Sequence, residues 1–217
     1  MLIREATPAD WPKIWPFWQK IVSAGETYAW DRETPEEQAR RLWMSPAARI
    51  FVVEEAEAAA AAEAAEAEAA EGTQAAAAAE GTQAAERAEE ADAQGAKAAQ
   101  AAQAANEAQE NGNTRIVASA YVKANYGGPA SAVANAGFMV DPAQAGRGIG
   151  RRLAEHVLRE AANDGYRAMV FNAVVATNPA VKLWLSLGFS ILGTVPDAFD
   201  HPVHGPVGLH IMHRKLT

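Results

Sequence analysis

The sequence contains no cysteine among its 217 residues. This absence excludes disulfide bonds, thiolate metal sites and a covalent acyl-cysteine intermediate. Apolar runs long enough to cross a bilayer are also lacking, and residues 1–5 do not form the apolar segment of a signal peptide. We therefore expect a cytoplasmic protein without a membrane partner.

Positive charge is scarce between residues 54 and 110, where 14 acidic residues stand beside 2 basic ones. This stretch has a net charge of −12, so the rest of the chain carries +4 of the total −8. A mildly basic remainder suits an anionic ligand but lacks the concentrated positive charge of a nucleic-acid-binding protein. We expect no nucleic acid among the partners.

Large apolar side chains are missing from residues 55–112, which form a low-complexity insert rich in alanine and glutamate. The sequence EGTQAA occurs in it at residues 71–76 and again at 80–85. This composition favours helix but offers little to pack against a core, so we predict a segment that is helical in pieces or disordered. It is interpreted as a dispensable expansion or a partner-binding arm, inserted at a hairpin tip of one domain that spans residues 1–217.

The rest of the chain predicts an α+β fold. Threonine–proline pairs at residues 7–8 and 34–35 each combine an N-cap with a first-turn proline, which indicates two early helices. Trp11, Trp15 and Trp18 follow at helical spacing and predict a core stripe. We predict a mixed, mostly antiparallel central sheet flanked by helices. The predicted strands cover residues 2–6, 49–53, 116–122, 133–140, 168–175, 189–192 and 208–213, and the later predicted helices cover 151–163 and 178–187.

A glycine-rich turn joins the predicted strand at 133–140 to the predicted helix at 151–163. Such a turn offers several backbone N–H donors without obstructing side chains, at the positive end of the helix dipole. It predicts an anion site suited to a pyrophosphate, and an ordinary glycine-rich connection is the alternative. The residues assigned to this site are Gly146, Arg147, Gly148, Ile149, Gly150 and Arg151.

The same turn resembles motif A of the GNAT N-acetyltransferases, whose pattern is Gln/Arg-x-x-Gly-x-Gly/Ala. Gly148 and Gly150 fill the glycine positions, whereas Ala145 stands where Gln or Arg is usual. Asn178, followed by a short helix that ends in LGF at 187–189, resembles a later motif of the family. The chain is identified on these residues as similar to GNAT enzymes.

The family resemblance implies a fold, a cofactor and a mode of activation. It implies the GNAT fold, with acetyl-CoA as the co-substrate. We expect no metal, because the sequence offers no set of metal ligands. It also implies that backbone N–H groups near Met139 and Val140 polarise the thioester carbonyl. Asn178 is assigned to the cofactor site as well.

Further segments resemble the GNAT subgroup that acetylates proline analogues such as azetidine-2-carboxylate. This likeness implies that Asn135, Asn172 and Asn178 line the site and orient the substrate and the thioester. For Asn172 a structural hydrogen bond is the alternative, because an amide in an apolar strand requires a partner. The segments that carry the likeness are GETY at 25–28, YVKANY at 121–126, NAGFMV at 135–140 and FNAVVATN at 171–178.

The sequence identifies the general base and the general acid less clearly than the cofactor site. Glu26, on the loop before the second helix, is the candidate base, and an ordinary exposed carboxylate is the alternative. Trp184 stands where many GNAT enzymes have a tyrosine that protonates the leaving thiolate, so the acid is water or absent. His201 and His204 lie on a predicted late loop over the pocket and lack the further ligands of a metal site.

The sequence thus predicts an acetyl-CoA-dependent N-acetyltransferase that acts on the amine of a small molecule, such as an amino acid or proline analogue. We expect direct attack by the neutral amine within a ternary complex. Acetylation of a protein N-terminus or lysine, and a non-catalytic CoA-binding module, are the alternatives. A homodimer is left open.

Overall fold

A computed structural model of the protein describes residues 1–56 and 114–216. The predictions made for the insert fall on residues that lie almost entirely outside this described part. Within the described residues, no helix is long and apolar enough to cross a membrane.

The chain divides into two units. The larger one consists of Leu2–Val53 together with Ile116–Thr217, and it contains all the described helices and most of the described strand residues. The other consists of Met1 with Glu54–Arg115. Within that second unit, the guanidinium of Arg115 lies 3.6 Å from the carboxylate of Glu55.

The secondary structure follows the predicted order, with most boundaries within two or three residues. The first helix is preceded by a 3-10 turn, Pro8–Asp10, so it begins later than the Thr7 cap predicts. Within residues 1–56 and 114–216 the α-helices are α1 (Trp11–Ala24), α2 (Glu36–Trp43), α3 (Ile149–Asn163) and α4 (Ala180–Ser186). The strands are β1 (Leu2–Glu5), β2 (Arg49–Ala56), β3 (Thr114–Ala124), β4 (Val133–Val140), β5 (Ala168–Val175), β6 (Ser190–His201) and β7 (Gly205–Lys215).

The strands form one seven-stranded sheet in the order β1-β2-β3-β4-β5-β7-β6. Antiparallel pairing joins β3 to β4, β5 to β7 and β6 to β7, whereas β4 and β5 run parallel. The prediction of a mixed, mostly antiparallel sheet flanked by helices is therefore confirmed.

The parallel pair is short. Val133 is paired with Ala168 and Ala134 with Met169, and no register partners follow beyond these. From Asn135 onward, β4 continues for six residues beside β3 while β5 is no longer its partner. The sheet therefore opens between β4 and β5, and one edge of β4 is left available to other groups.

Two apolar clusters make up the core. One contains α3 and α4 residues such as Leu153, Val157 and Trp184. The other contains the predicted tryptophan stripe of α1, in which Trp11 and Trp18 are almost fully buried and Trp15 is half-buried. Each buried aromatic side chain contributes about 1.5–3 kcal/mol by removing apolar surface from water.

Arg49 at the start of β2 fixes the C-terminal end of α3. Its guanidinium donates to both carboxylate oxygens of Asp164, at 2.8 and 2.7 Å, and to Glu160 at 3.0 Å. Glu5 of β1 is bound as well, at 2.5 Å. These carboxylates raise the pKa of Arg49, with Asp164 as the main contributor. The network holds α3, and with it the glycine turn at its other end, at a fixed position on the sheet.

The late loop predicted to carry His201 and His204 is instead the end of a long hairpin. Strands β6 and β7 extend well past the predicted 189–192 and 208–213, and only residues 202–204 form the turn. The ring Nδ1 of His201 accepts from the backbone N–H groups of Val203 and His204 within that turn. β6 contains Pro196, which is accommodated because β6 is the edge strand and its register shifts between Val195 and Phe199.

A buried carboxylate fixes the entry into α1. Asp10 accepts from both terminal nitrogens of Arg4, at 2.9 and 2.8 Å, and from the backbone N–H of Thr7 at 2.7 Å. Its side chain is 8% exposed. The hydrogen bonds from Arg4 are the main cause that lowers the pKa of Asp10 from 3.8 to about 2.

We predict that Asp10→Asn lowers the free energy of unfolding by about 2 kcal/mol at pH 7. Because the pKa of Asp10 is lower in the folded protein than in the unfolded chain, its contribution is complete above about pH 5 and is lost as the pH falls toward 2. Urea unfolding of both proteins between pH 2 and pH 7 measures this difference. Glu37→Gln, which removes an exposed partner of Arg41, is the control and changes stability by less than about 0.5 kcal/mol. A constant gap between Asp10→Asn and the parent protein over the whole range would contradict the prediction.

Candidate active site

A cavity of about 230 Å³ lies at the opening between β4 and β5. Aromatic rings and carboxamides form much of its wall, and none of the described residues that line it carries a charged side chain. The lining residues fall into a loop after α1, the face of β3 and β4, and the end of β5 with α4. They are Thr27, Tyr28, Ala29, Trp30, Tyr121, Asn135, Ala136, Gly137, Phe138, Phe171, Asn172, Ala173, Val174, Asn178, Ala180 and Trp184.

The open edge of β4 presents the backbone groups of alternate residues. Val133 and Asp141 bond toward the β3 side, where Val133 C=O accepts from Asn125 and Asp141 N–H donates to Val117. Since neighbouring residues of a strand direct their N–H and C=O to opposite edges, Phe138 and Val140 face the opening. Of the two donors expected from the sequence, the N–H of Val140 is therefore directed toward the opening, whereas the N–H of Met139 is directed toward β3, and neither residue lines the cavity.

Tyr28 binds this edge through its hydroxyl. The hydroxyl donates to the carbonyl oxygen of Phe138 at 2.8 Å and accepts from the N–H of the same residue at 3.0 Å. The ring stacks on Trp30 with centroids 4.7 Å apart. Burial is the main cause that raises the pKa of Tyr28, so the phenol stays neutral and can serve as donor and acceptor at once.

Glu26 lies beside this loop but is exposed, and it is not among the residues that line the cavity. Gly25 ends α1 in the left-handed conformation, at φ +68°, and turns the chain so that Thr27 and Tyr28 reach the cavity. The structure thus brings the two residues after Glu26 to the site and leaves Glu26 near its rim.

Asn135 and Asn172 both line the cavity. The side-chain N–H of Asn135 donates to the carbonyl of Val170 at 2.9 Å, across the point where β4 and β5 separate. Asn172 lies in an irregular part of β5 and exchanges two hydrogen bonds with Asn125, at 2.7 and 3.1 Å. Each amide therefore has a protein partner and still presents an edge to the cavity wall.

Asn178 and Trp184 bring α4 to the same cavity. The side-chain oxygen of Asn178 accepts from Ala180 N–H at 2.9 Å and so satisfies a free donor at the start of α4. Trp184 is 6% exposed, and its ring centroid lies 4.9 Å from those of Phe138 and Phe171. Its position is that of a packed wall residue.

The glycine turn between β4 and α3 has the backbone shape that the sequence predicts. Gly146 and Gly148 have φ values of +83° and +72°, a region in which side chains are strained. A Cβ built on either would meet nothing within 4 Å, so the turn is open on its outer side. At Gly150 a Cβ would lie 3.5 Å from Val140, which shows that the helix start is adjacent to the open edge of β4.

The arginines of the turn are held by neighbouring polar groups. Arg147 donates to the side-chain oxygen of Gln144, and Arg151 donates to the hydroxyl of Ser186 at 2.7 Å. Arg151 also lies 3.7 Å from Glu155. Both guanidinium groups are therefore fixed near the N-terminal end of α3, where an anion would be stabilised by the helix dipole.

Comparison with known proteins assigns the chain to a family. Residues 77–189, just over half of the chain, match the acetyltransferase (GNAT) family. The chain belongs to the acetyltransferase (GNAT) family. The predicted GNAT fold and the predicted acyltransferase class are thereby confirmed.

Solved structures of other GNAT proteins agree with this assignment. A GCN5-related N-acetyltransferase from Kribbella flavida is 40% identical, with a TM-score of 0.68, and the match covers 99% of this chain and 96% of that one. A GNAT superfamily phosphinothricin acetyltransferase from Sinorhizobium meliloti, solved in complex with acetyl-CoA, has a TM-score of 0.63 over 99% of this chain and 87% of that one. At 14% identity the second likeness shows the fold alone.

A curated relative matches over a shorter stretch. N-acetyltransferase aca1 of Schizosaccharomyces pombe is 41% identical over 86 residues. The match covers 39% of this GNAT chain and 41% of the length of the relative.

Three aromatic residues of this GNAT site were not singled out from the sequence. They are Tyr28, Tyr121 and Phe138, which all line the cavity. The hydroxyl of Tyr28 binds the backbone of Phe138. Gly137 was the available signal, because a glycine within a strand often marks a close approach by another group. Here the ring of Tyr121 lies across it, and an added Cβ would stand 2.5 Å from Tyr121 Cε1.

We predict that Gly137→Ala lowers the free energy of unfolding by about 1–3 kcal/mol, because the ring of Tyr121 must move from its place against Trp43. Thermal unfolding measures the change. Gly193→Ala is the matched control, since a Cβ at that position of β6 meets nothing within 4 Å, and it leaves the melting temperature nearly unchanged. Equal melting temperatures for the two variants would show that the ring does not constrain position 137.

Proposed function

We propose that this protein transfers an acetyl group from acetyl-CoA to the amine of a small molecule, within a ternary complex. The observation that carries the proposal is the small uncharged cavity at the β4–β5 opening, adjacent to a glycine turn that opens α3. One part suits a small amine substrate and the other suits a phosphate-bearing cofactor.

The cofactor half is assigned to the turn and the strand edge before it. Backbone N–H groups of residues 146–151 would hold the pyrophosphate of acetyl-CoA, with the positive end of α3 adding to the field. The S. meliloti acetyltransferase of the same fold is in complex with acetyl-CoA, which supports this choice of cofactor. The extended part of the cofactor would lie along the open edge of β4, with Asn178 at the start of α4 beside it.

The chemical step requires a neutral amine that attacks the thioester carbon, donors for the negative charge that forms on the carbonyl oxygen, and departure of the CoA thiolate. The N–H of Val140 is directed into the opening and is the proposed donor. Asn135 and Asn172 are proposed to orient the amine, and Asn178 the thioester. Glu26 at the rim is the carboxylate proposed to take up the proton through water.

The size and charge of the cavity favour a small substrate. Its volume of about 230 Å³ is below the 300–1,000 Å³ of sites for drug-sized ligands. A lysine side chain or protein N-terminus would call for an open acidic groove, and no acidic residue of the described chain lines this cavity. An amino acid or a proline analogue fits both properties.

We predict that the protein releases CoA thiol when acetyl-CoA is combined with one or more members of a panel of amino acids and cyclic amines. A colorimetric thiol assay measures this, with acetyl-CoA alone as the blank. Acetylation confined to peptides would point to a protein substrate. CoA binding without turnover on any amine would exclude the enzymatic proposal.

We predict that Gly148→Glu abolishes acetyl-CoA binding, because it places a carboxylate against the phosphates. Gly148→Ala is the matched control, since it introduces the same strain at a φ of +72° without the charge. The alanine variant is expected to lose about 1–2 kcal/mol of stability and to retain binding. Isothermal calorimetry with acetyl-CoA measures both affinities. Unchanged affinity of the glutamate variant would remove the phosphates from this turn.

A further inference from the structure

We propose that Lys123 binds an anionic group of the amine substrate, so that the site selects amines that also bear a carboxylate. The inference rests on the proposed function and adds a residue and a selection rule to it. Lys123 is not among the lining residues of the cavity, but it stands next to two of them.

The register of β3 and β4 sets this position. Lys123 is paired with Asn135, and Tyr121 is paired with Gly137. Directly paired residues of an antiparallel pair lie on the same face, as do residues two apart on one strand. Lys123 therefore shares a face with Tyr121 and Asn135, both of which line the cavity.

The ammonium group is held toward this wall. Its Nζ lies 5.4 Å from the centroid of the Tyr121 ring. The Tyr121 hydroxyl donates to Asn135 at 3.4 Å, so the cation, the phenol and the amide form one contiguous cluster. Lys123 is half-buried, which limits the number of orientations open to its long side chain.

The charge of this lysine is not neutralised by its neighbours. Within residues 1–56 and 114–216, no acidic side chain forms an ion pair with Lys123, and the cavity beside it carries no charge. An uncompensated ammonium next to aromatic rings and carboxamides is a favourable place for a carboxylate, which accepts several hydrogen bonds. The amides of Asn135 and Asn172 are placed to share in binding it.

The consequence is selection between amines that differ only in a carboxylate. A carboxylate bound by Lys123 would hold the ring and its amine in the cavity, and an amine without one would lose this contact. Charge-assisted hydrogen bonds contribute about twice as much as neutral ones, so removal of the ammonium should cost about 10–100-fold in kcat/KM. The loss should appear mainly in KM, because Lys123 lies beside the cavity and is not among the residues that line it.

The test compares azetidine-2-carboxylate with azetidine, the same ring without the carboxylate, in the thiol assay. If another amino acid of the panel is the better substrate, that amino acid and its decarboxylated amine replace azetidine-2-carboxylate and azetidine in the comparison. Lys123→Met is expected to lower kcat/KM for the acid about 10–100-fold and to leave the simple amine and the KM for acetyl-CoA unchanged. Lys123→Arg keeps the charge and should restore much of the activity. Lys215→Met removes an exposed charge at the far end of β7. It is the control and is expected to leave kcat/KM unchanged for both substrates.

Two outcomes would overturn the proposal. One is an equal loss with the acid and with the simple amine, which would assign Lys123 to the structure of the wall. The other is a parent enzyme that prefers the amine without a carboxylate. Absence of turnover with every amine is a different result, since it rejects the proposed function itself. Calorimetric binding of azetidine-2-carboxylate to the CoA-loaded parent and Lys123→Met proteins gives a readout independent of turnover.

Discussion

The separation of β4 from β5 after two residue pairs is the constraint on which the site depends. A continuous parallel pair would fill both strand edges with hydrogen bonds and leave no room between them. The early separation creates the cavity, and it leaves the backbone groups of Phe138 and Val140 on the edge of β4 that faces away from β3. Asn135 bonds to Val170 at the point of separation and thereby closes the bottom of the opening with a side chain.

The uncharged wall has a chemical consequence for the reaction proposed there. In a cavity of aromatic rings and amides the local dielectric is low, so a hydrogen bond to a developing oxyanion is stronger than in water. The same environment disfavours an ammonium ion and favours the neutral amine that must attack. Fixed charges lie outside the cavity wall, at the glycine turn and at Lys123.

The sequence predicted the elements of this fold well and their contacts less well. The bounds of β4 and β5 match the predicted 133–140 and 168–175 because both are mostly apolar segments between clear turn residues. The hairpin of β6 and β7 was underestimated because the apolar run at 189–192 ends before Gly193, whereas β6 continues through Pro196 at the sheet edge.

The site was predictable where its residues are local in sequence. The glycine turn is of this kind, and its positive φ values explain why glycine occurs there. The hydrogen bond between Tyr28 and Phe138 joins residues 110 positions apart, and no local sequence pattern predicts such a contact. Glu26 was named as the candidate base because it is a carboxylate on this loop, although Tyr28 is the residue that the turn at Gly25 brings to the strand.

The hydroxyl of Tyr28 also hinders the pairing of another chain with the open edge of β4. An open strand edge is a template on which a second chain can pair, and such edges promote aggregation. By occupying both the N–H and the C=O of Phe138, one phenol interrupts the row of free backbone groups along β4. A narrow ligand can still enter beside Tyr28. An extended polypeptide could not form a continuous ladder of hydrogen bonds along β4, because both backbone groups of Phe138 are already bonded.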